Sequence, residues 1–259
     1  LSGDAGTNWS SIYTTINSAN LILKHTPEIS FTNEATRNEV MANAYFLRAY
    51  CYFTLVRVFG DCPLLTSGFE SEKQEDMYPS RTAASEVYAQ VETDIEEALR
   101  LMPASSKLLH KASPAAINML RTEYYLWKAK RLGGGNAALS TAQSSVDAVL
   151  KAGYALLPTF ADIFNLNNEA NSELFWTLPY IVNENVTPGT SPNFFAYYLA
   201  PNGDRTRLRE AGYTEDEVPA GSHAQYVVPT QAYCDFLAED ARDTRTDVSV
   251  RVFEDKFLT

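Results

Sequence analysis

Between Asn33 and Pro63 the chain reads NEATRNEVMANAYFLRAYCYFTLVRVFGDCP, and no other stretch limits its fold so tightly. From Val40 to Phe59 the only charged residues are Arg48 and Arg57. Val40, Ala44, Leu47, Cys51, Leu55 and Val58 recur at helical spacing. A second set, Met41, Phe46, Tyr50, Phe53 and Val56, fills much of the remaining circumference. A helix apolar on nearly all sides needs neighbours on several sides, so this is the expected central helix. At about 1.5 Å per residue it would run to roughly 40 Å and span its domain. Thr32 and Asn33 can cap its first N–H groups, and Glu34 suits the first turn. Gly60 offers a left-handed stop and Pro63 forbids continuation. Two arginines and the many Ala, Tyr and Cys residues argue against a membrane span. An arginine inside such a helix must be paired, so Arg48 is expected to hold a carboxylate or a helix end in the core.

The flanking residues supply the neighbours. Ile12, Ile16, Ala19 and Leu23 predict a helix from Trp9 to about His25, ended by Thr26-Pro27. Beyond a loop reaching about Arg81, Ala84, Val87, Tyr88, Val91, Ile95, Ala98, Leu99 and Met102 predict a third helix capped by Thr82. Ser113-Pro114 is a cap followed by proline, and opens a fourth helix to about Arg131. Gly133-Gly134-Gly135 is read as a turn, since it lacks the strand and Lys-Ser/Thr of a phosphate loop. A fifth helix is expected from about Asn136 to Ala152. Hairpins at this spacing resemble stacked tetratricopeptide-like repeats. Residues 1–153 are thus expected to form a helical-repeat scaffold, and 154–259 a loop-rich part of the same domain. There Glu173–Leu178 reads as a short extended segment. Four of the twelve prolines lie between Pro179 and Pro201. A helix is predicted from Gln231 to about Ala241, and a strand through Val248, Val250 and Val252.

Charge and cysteine content narrow the chemistry. A net charge of −11 argues against binding nucleic acid through its phosphates. Cys51, Cys62 and Cys234 are too few and too scattered for a disulfide framework. His25, His110 and His223 are isolated, so neither a metal site nor a cofactor is expected. No Gly-x-Ser-x-Gly or His-Glu-x-x-His motif occurs. The first ten residues lack the basic start of a secretory signal.

An ordered set of motifs resembles the SusD/RagB-type outer-membrane nutrient-binding lipoproteins. Trp9, Tyr13, Ile16, Ala19 and Asn20 match a W-x3-Y-x2-I-x2-A-N signature. Phe46, Leu47, Arg48, Ala49, Tyr52, Phe53 and Leu55, followed by Phe59-Gly60-Asp61 and Pro63-Leu64, match the family's central helix and its exit. Arg81, Val87-Tyr88, Asp94-Ile95 and Ala98 come next, then Gly153-Tyr154, Phe164, Asn171-Ser172-Glu173 and Trp176, then Pro229-Thr230, Asp240 and Arg245. Cys62 departs from the small apolar residue usual there, and the lipid-anchored cysteine is absent. Family members are commonly longer, so the resemblance implies a chain truncated relative to them. It implies a mainly α fold, a superhelix of tetratricopeptide-like hairpins beside an irregular, loop-rich ligand-binding part. It further implies a non-catalytic protein, lipid-anchored on the outer face of a Gram-negative outer membrane. Its ligand would be an oligosaccharide or a peptide, and its partner a SusC-like TonB-dependent porin.

Sugar recognition needs flat aromatic faces with polar edges. Asn193, Phe194, Phe195, Tyr197 and Tyr198 form the best local cluster, in a proline-rich loop where binding residues concentrate. Asn8 and Trp9 open the first helix, and Tyr180 follows the Trp176 segment; both places are further candidates. The competing reading for every one of these rings is burial against the helical core. Trp176 itself is assigned to the core. Arg205, Arg207 and Arg209 with Tyr213 could clasp an acidic sugar, but a solvated loop is the stronger reading. Asp162, Glu169 and Glu173 are the acids a helical glycosidase would need, a third reading behind glycan binding and peptide binding.

Overall fold

The computed structural model describes residues 9–71, 79–106, 109–168 and 170–177, together with 206, 209–210, 212, 214, 230–239 and 242–243. The chain divides into two compact units, residues 1–156 with 170–178, and residues 157–169 with 179–259. The first holds five long helices: α1 (Ser10–His25), α2 (Glu34–Phe59), α3 (Ala84–Leu101), α4 (Pro114–Arg131) and α5 (Gly135–Lys151). Each packs on the next in chain order, the neighbour-on-neighbour arrangement of a helical repeat. In the second unit the described elements are α6 (Gln231–Ala238) and two 3-10 turns, Phe160–Phe164 and Leu166–Asn168. Among the described residues there is no strand, so the fold is mainly α. No described helix is long and apolar enough to cross a membrane.

Helix α2 is central for the reason its composition implies. It meets α1, α3 and α4, and Ala42, Phe46, Ala49, Tyr52, Phe53, Leu55 and Val56 are all buried. Small Ala42 and Ala49 let neighbouring helices approach, and the aromatic rings fill the spaces between them. From α1 comes Ile16, from α3 Val87, Val91 and Ile95, and from α4 Ile117, Leu120 and Tyr124, which complete one core. Burial of each such side chain contributes roughly 1.5–3 kcal/mol. The apolar circumference is not wholly covered: Tyr50 is 40% exposed and Val58 63%.

The helix ends follow local chemistry. Asn33 caps α2 by accepting from the Ala35 N–H at 2.8 Å. Gly60 ends it at φ 68°, a conformation that side chains disfavour. Ser113 caps α4 by accepting from the Ala116 N–H, with Pro114 at the first position. The start of α3 differs from expectation. Thr82 pairs with Cys62 in an isolated antiparallel bridge, which holds it in the loop rather than at the helix cap. The carboxylate of Asp61 takes its place, accepting from the Ala84 N–H at 2.8 Å. The expected extended segment after Glu173 is also not formed. Residues 171–177 take turn and irregular backbone, tied by Ala155 N–H to Ser172 C=O and Thr177 N–H to Leu109 C=O. These two bonds reach different segments, so no ladder can propagate. The strand expected through Val248–Val252 lies outside the described residues.

Candidate functional site

Three features of the first unit bear on function: a polar clamp at α1, an aromatic corner at its start, and an open groove between α2 and α4.

The clamp starts from Arg48. Its Nε and Nη2 donate to the two carboxylate oxygens of Asp94 on α3, at 2.8 and 2.7 Å. Its Nη1 donates to Asn20 Oδ1 on α1 at 2.7 Å. Arg48 is 5% exposed and Asp94 fully buried, so each charge depends on the other. Burial opposes the Arg48 charge, but the hydrogen bonds and attraction from Asp94 outweigh it and raise its pKa. Asn20 Nδ2 then donates to the Leu65 and Ser67 carbonyls, at 2.9 and 3.2 Å. Tyr52 Oη donates to the Leu65 carbonyl and accepts from the Leu65 N–H. Tyr13 Oη donates to the Pro63 carbonyl at 2.7 Å. Asn17 makes both bonds to the Phe69 backbone. Residues 63–69 form no regular structure, so their backbone needs side-chain partners. The signature residues Tyr13, Asn20, Arg48, Tyr52 and Asp94 therefore hold this segment against α1 and α2.

At the start of α1, the half-buried Trp9 ring packs edge-on against Tyr13 and Phe59, with centroids 5.8 and 5.2 Å away. The Arg81 guanidinium lies over the ring, 4.9 Å from its centroid. This placement shields part of the ring that a ligand would need.

The groove has a volume of about 330 Å3 and is nearly all apolar. Phe46 and Tyr50 of α2 form one wall, Met119 and Leu126 of α4 the other, and Phe175 with Trp176 one end. Trp176 sets its ring edge-on to Phe46 and Tyr50 at 5.2 and 5.3 Å. Tyr50 and Leu126 remain 40% and 50% exposed. At the rim, Glu123 pairs with Arg57, whose guanidinium stacks over Phe53 at 4.0 Å. Sequence reasoning assigned Phe46, Tyr50 and Trp176 to the core. The usable signal was the unbroken apolar circumference of α2, which exceeds what its helical neighbours cover. Such a groove can take the apolar face of a ligand but offers few hydrogen bonds.

Of the sequence-derived site residues, Trp9 is placed as above. Asn8, Tyr180, Asn193, Phe194, Phe195, Tyr197 and Tyr198 lie outside the described residues, as do Arg205, Arg207, Tyr213 and Glu169. In the second unit, the Asp162 carboxylate closes a capping box with Thr159. Among the described residues, no three His, Cys, Asp or Glu side chains converge to hold a metal ion.

The fold and its clamp can be compared with known proteins. Residues 2–126 match the SusD-like family model described as starch-binding and associating with the outer membrane. The chain belongs to the SusD-like family. A curated SusD-like protein of Formosa agariphila is 27% identical over 179 residues, covering 66% of this chain and 31% of that protein. A solved SusD-superfamily protein of Bacteroides vulgatus is 32% identical with a TM-score of 0.60, covering 66% of this chain and 35% of its own. A solved laminarin-binding SusD-like protein is 26% identical with a TM-score of 0.56, covering 65% of this chain and 36% of its own. The chain spans about a third of the length of these relatives. SusD-like proteins are a family of carbohydrate-binding proteins associated with the outer membrane.

Proposed function

We propose that this SusD-like chain is the helical part of a non-catalytic, lipid-anchored surface protein that binds an oligosaccharide. It would pass that ligand to a SusC-like TonB-dependent porin in a Gram-negative outer membrane. The observation that carries this reading is the shared helical scaffold with a laminarin-binding relative. Residues 1–153 are proposed as scaffold, and 154–259 as part of the ligand-binding region. Asn8, Trp9, Tyr180, Asn193, Phe194, Phe195, Tyr197 and Tyr198 remain the proposed contacts. The non-catalytic reading is supported by the match to a family model described by binding rather than by a reaction. The test is affinity gel electrophoresis on a panel of polysaccharides with Phe195→Ala and Tyr198→Ala. Retardation by one glycan, lost in both variants, supports the reading and its site. Retardation that survives both keeps the function and moves the site to Trp9.

A second reading, binding of a peptide or protein segment, is favoured by one observation. The groove between Tyr50, Leu126 and Trp176 is nearly all apolar, whereas a sugar's hydroxyls need polar partners. Failure of every glycan to retard the folded full-length protein would shift the function to this reading.

A further inference from the structure

Beside Arg48 lies a mainly polar hollow of about 610 Å3, lined by Asn20, Leu23, Lys24, Tyr45, Arg48, residues 66–68 and Gln90. Its volume falls within the roughly 300–1,000 Å3 of small-ligand pockets. Its chemistry is the reverse of the apolar groove. The floor is rigid, because Arg48 and Asn20 are buried and hydrogen-bonded to each other. Gly68 closes against α1 so tightly that a Cβ there would lie 2.6 Å from Leu21 Cδ2. One edge is thereby fixed by close backbone approach.

Hydroxyl and amide groups of the lining remain available. Gln90 Nε2 donates to Asp94, which leaves its carbonyl oxygen to accept. Among the described residues, no hydrogen bond engages the hydroxyls of Tyr45, Thr66 or Ser67. These groups offer both donors and acceptors, and Thr66 and Ser67 are exposed. The charges around the hollow are balanced. Arg48 is matched by Asp94, and Lys24 by Glu70 at 2.8 Å. Among the described residues that line the hollow, no cation is left over to attract an anion, and the whole chain carries −11.

We infer that this hollow binds a neutral sugar unit, a site separate from the apolar groove. The class of ligand rests on the glycan reading above; the location does not. The Tyr45 ring, overlaid in part by the Arg48 guanidinium 5.4 Å from its centroid, supplies apolar area for C–H groups on its remaining surface. Tyr45, Thr66, Ser67 and Gln90 supply the hydrogen bonds, and the balanced floor disfavours an acidic sugar.

The test is amide NMR of the chain titrated with methyl β-glucoside and, separately, glucuronic acid. The expected result is saturable shifts at Thr66, Ser67, Gly68 and the Gln90 side chain, with Kd about tenfold or more weaker for glucuronic acid. Ser67→Trp fills the hollow from an exposed position, and Tyr45→Phe removes a hydroxyl while keeping the ring under the Arg48 guanidinium. Each should weaken binding about tenfold, with the backbone shifts of the free protein otherwise preserved. Absence of saturable shifts at these positions overturns the inference, as does equal affinity for glucuronic acid. Shifts confined to Tyr50, Met119 and Trp176 overturn the location and leave glycan binding standing.

Discussion

Removal of the Asp94 carboxylate is the most informative single perturbation of this scaffold. Asp94→Leu deletes two charge-assisted bonds to Arg48, at 2.8 and 2.7 Å. The guanidinium stays in a site where Arg48 is 5% exposed, with Asn20 Oδ1 and a distant Thr66 carbonyl at 3.5 Å as its remaining acceptors. Breaking a buried pair by removing one partner costs about 3–5 kcal/mol, because the other charge is stranded. Native domains have roughly 5–15 kcal/mol in total, so a large share of the stability should vanish. With a urea m-value of about 2–3 kcal/mol/M, the midpoint should fall by about 1.5 M. The double variant Arg48→Met with Asp94→Leu removes both charges and keeps the volume filled. It should recover to within about 1–2 kcal/mol of the parent, the residual being the bonds lost by Asn20 and Gln90. Urea unfolding followed by far-ultraviolet circular dichroism, across both single variants and the double, measures this coupling. A cost below about 1 kcal/mol for Asp94→Leu, or a double variant as unstable as the sum of the singles, would refute the stranded-charge argument.

Three further outcomes follow from other parts of the structure. Desolvation pushes the Glu92 carboxyl up, but hydrogen bonds from Lys128, Tyr125 and Tyr124 outweigh it and hold its pKa below the usual value. Its stabilisation is therefore present above the unfolded-state pKa of about 4.3 and lost as pH falls through the lower folded value; a Glu92→Gln variant should show a shallower acid limb in thermal melts between pH 5 and 3. Burial raises the Cys51 thiol to about 11 and also raises Cys62, which is fully buried. Peptides carrying either residue should stay unlabelled by iodoacetamide at pH 7.5 in the native protein and label fully in urea; native labelling of Cys62 would contradict its placement. Gly68→Ala would push a Cβ to within 2.6 Å of Leu21, and should cost about 1–3 kcal/mol by differential scanning calorimetry.

Trp9, Ile16, Arg48 and Ser113 show how much local sequence carries. Helical spacing of apolar residues, a capping side chain and a stop glycine act within one turn of the chain, so α1 to α5 could be bounded to within a residue or two. A charge inside an apolar helix announces its own need for a partner, and Arg48 is paired as expected. The family signature could likewise be read as an ordered set of residues. Its physical meaning could not, because Asn20, Arg48 and Asp94 lie on three different helices and only packing brings them together.

What the sequence alone determined is the set of helices, their ends and the family to which the scaffold belongs. Periodicity and capping depend on neighbours three or four residues away, and those neighbours are present in the chain itself. Tertiary structure decided the rest. It replaced Thr82 by Asp61 at the start of α3, through a bridge between residues twenty apart. It exposed Tyr50 and Leu126 in a groove, because the apolar face of α2 is wider than the helices laid against it. It built the polar hollow from α1, α2, α3 and the segment they clamp, since a cavity belongs to surfaces that only folding brings face to face.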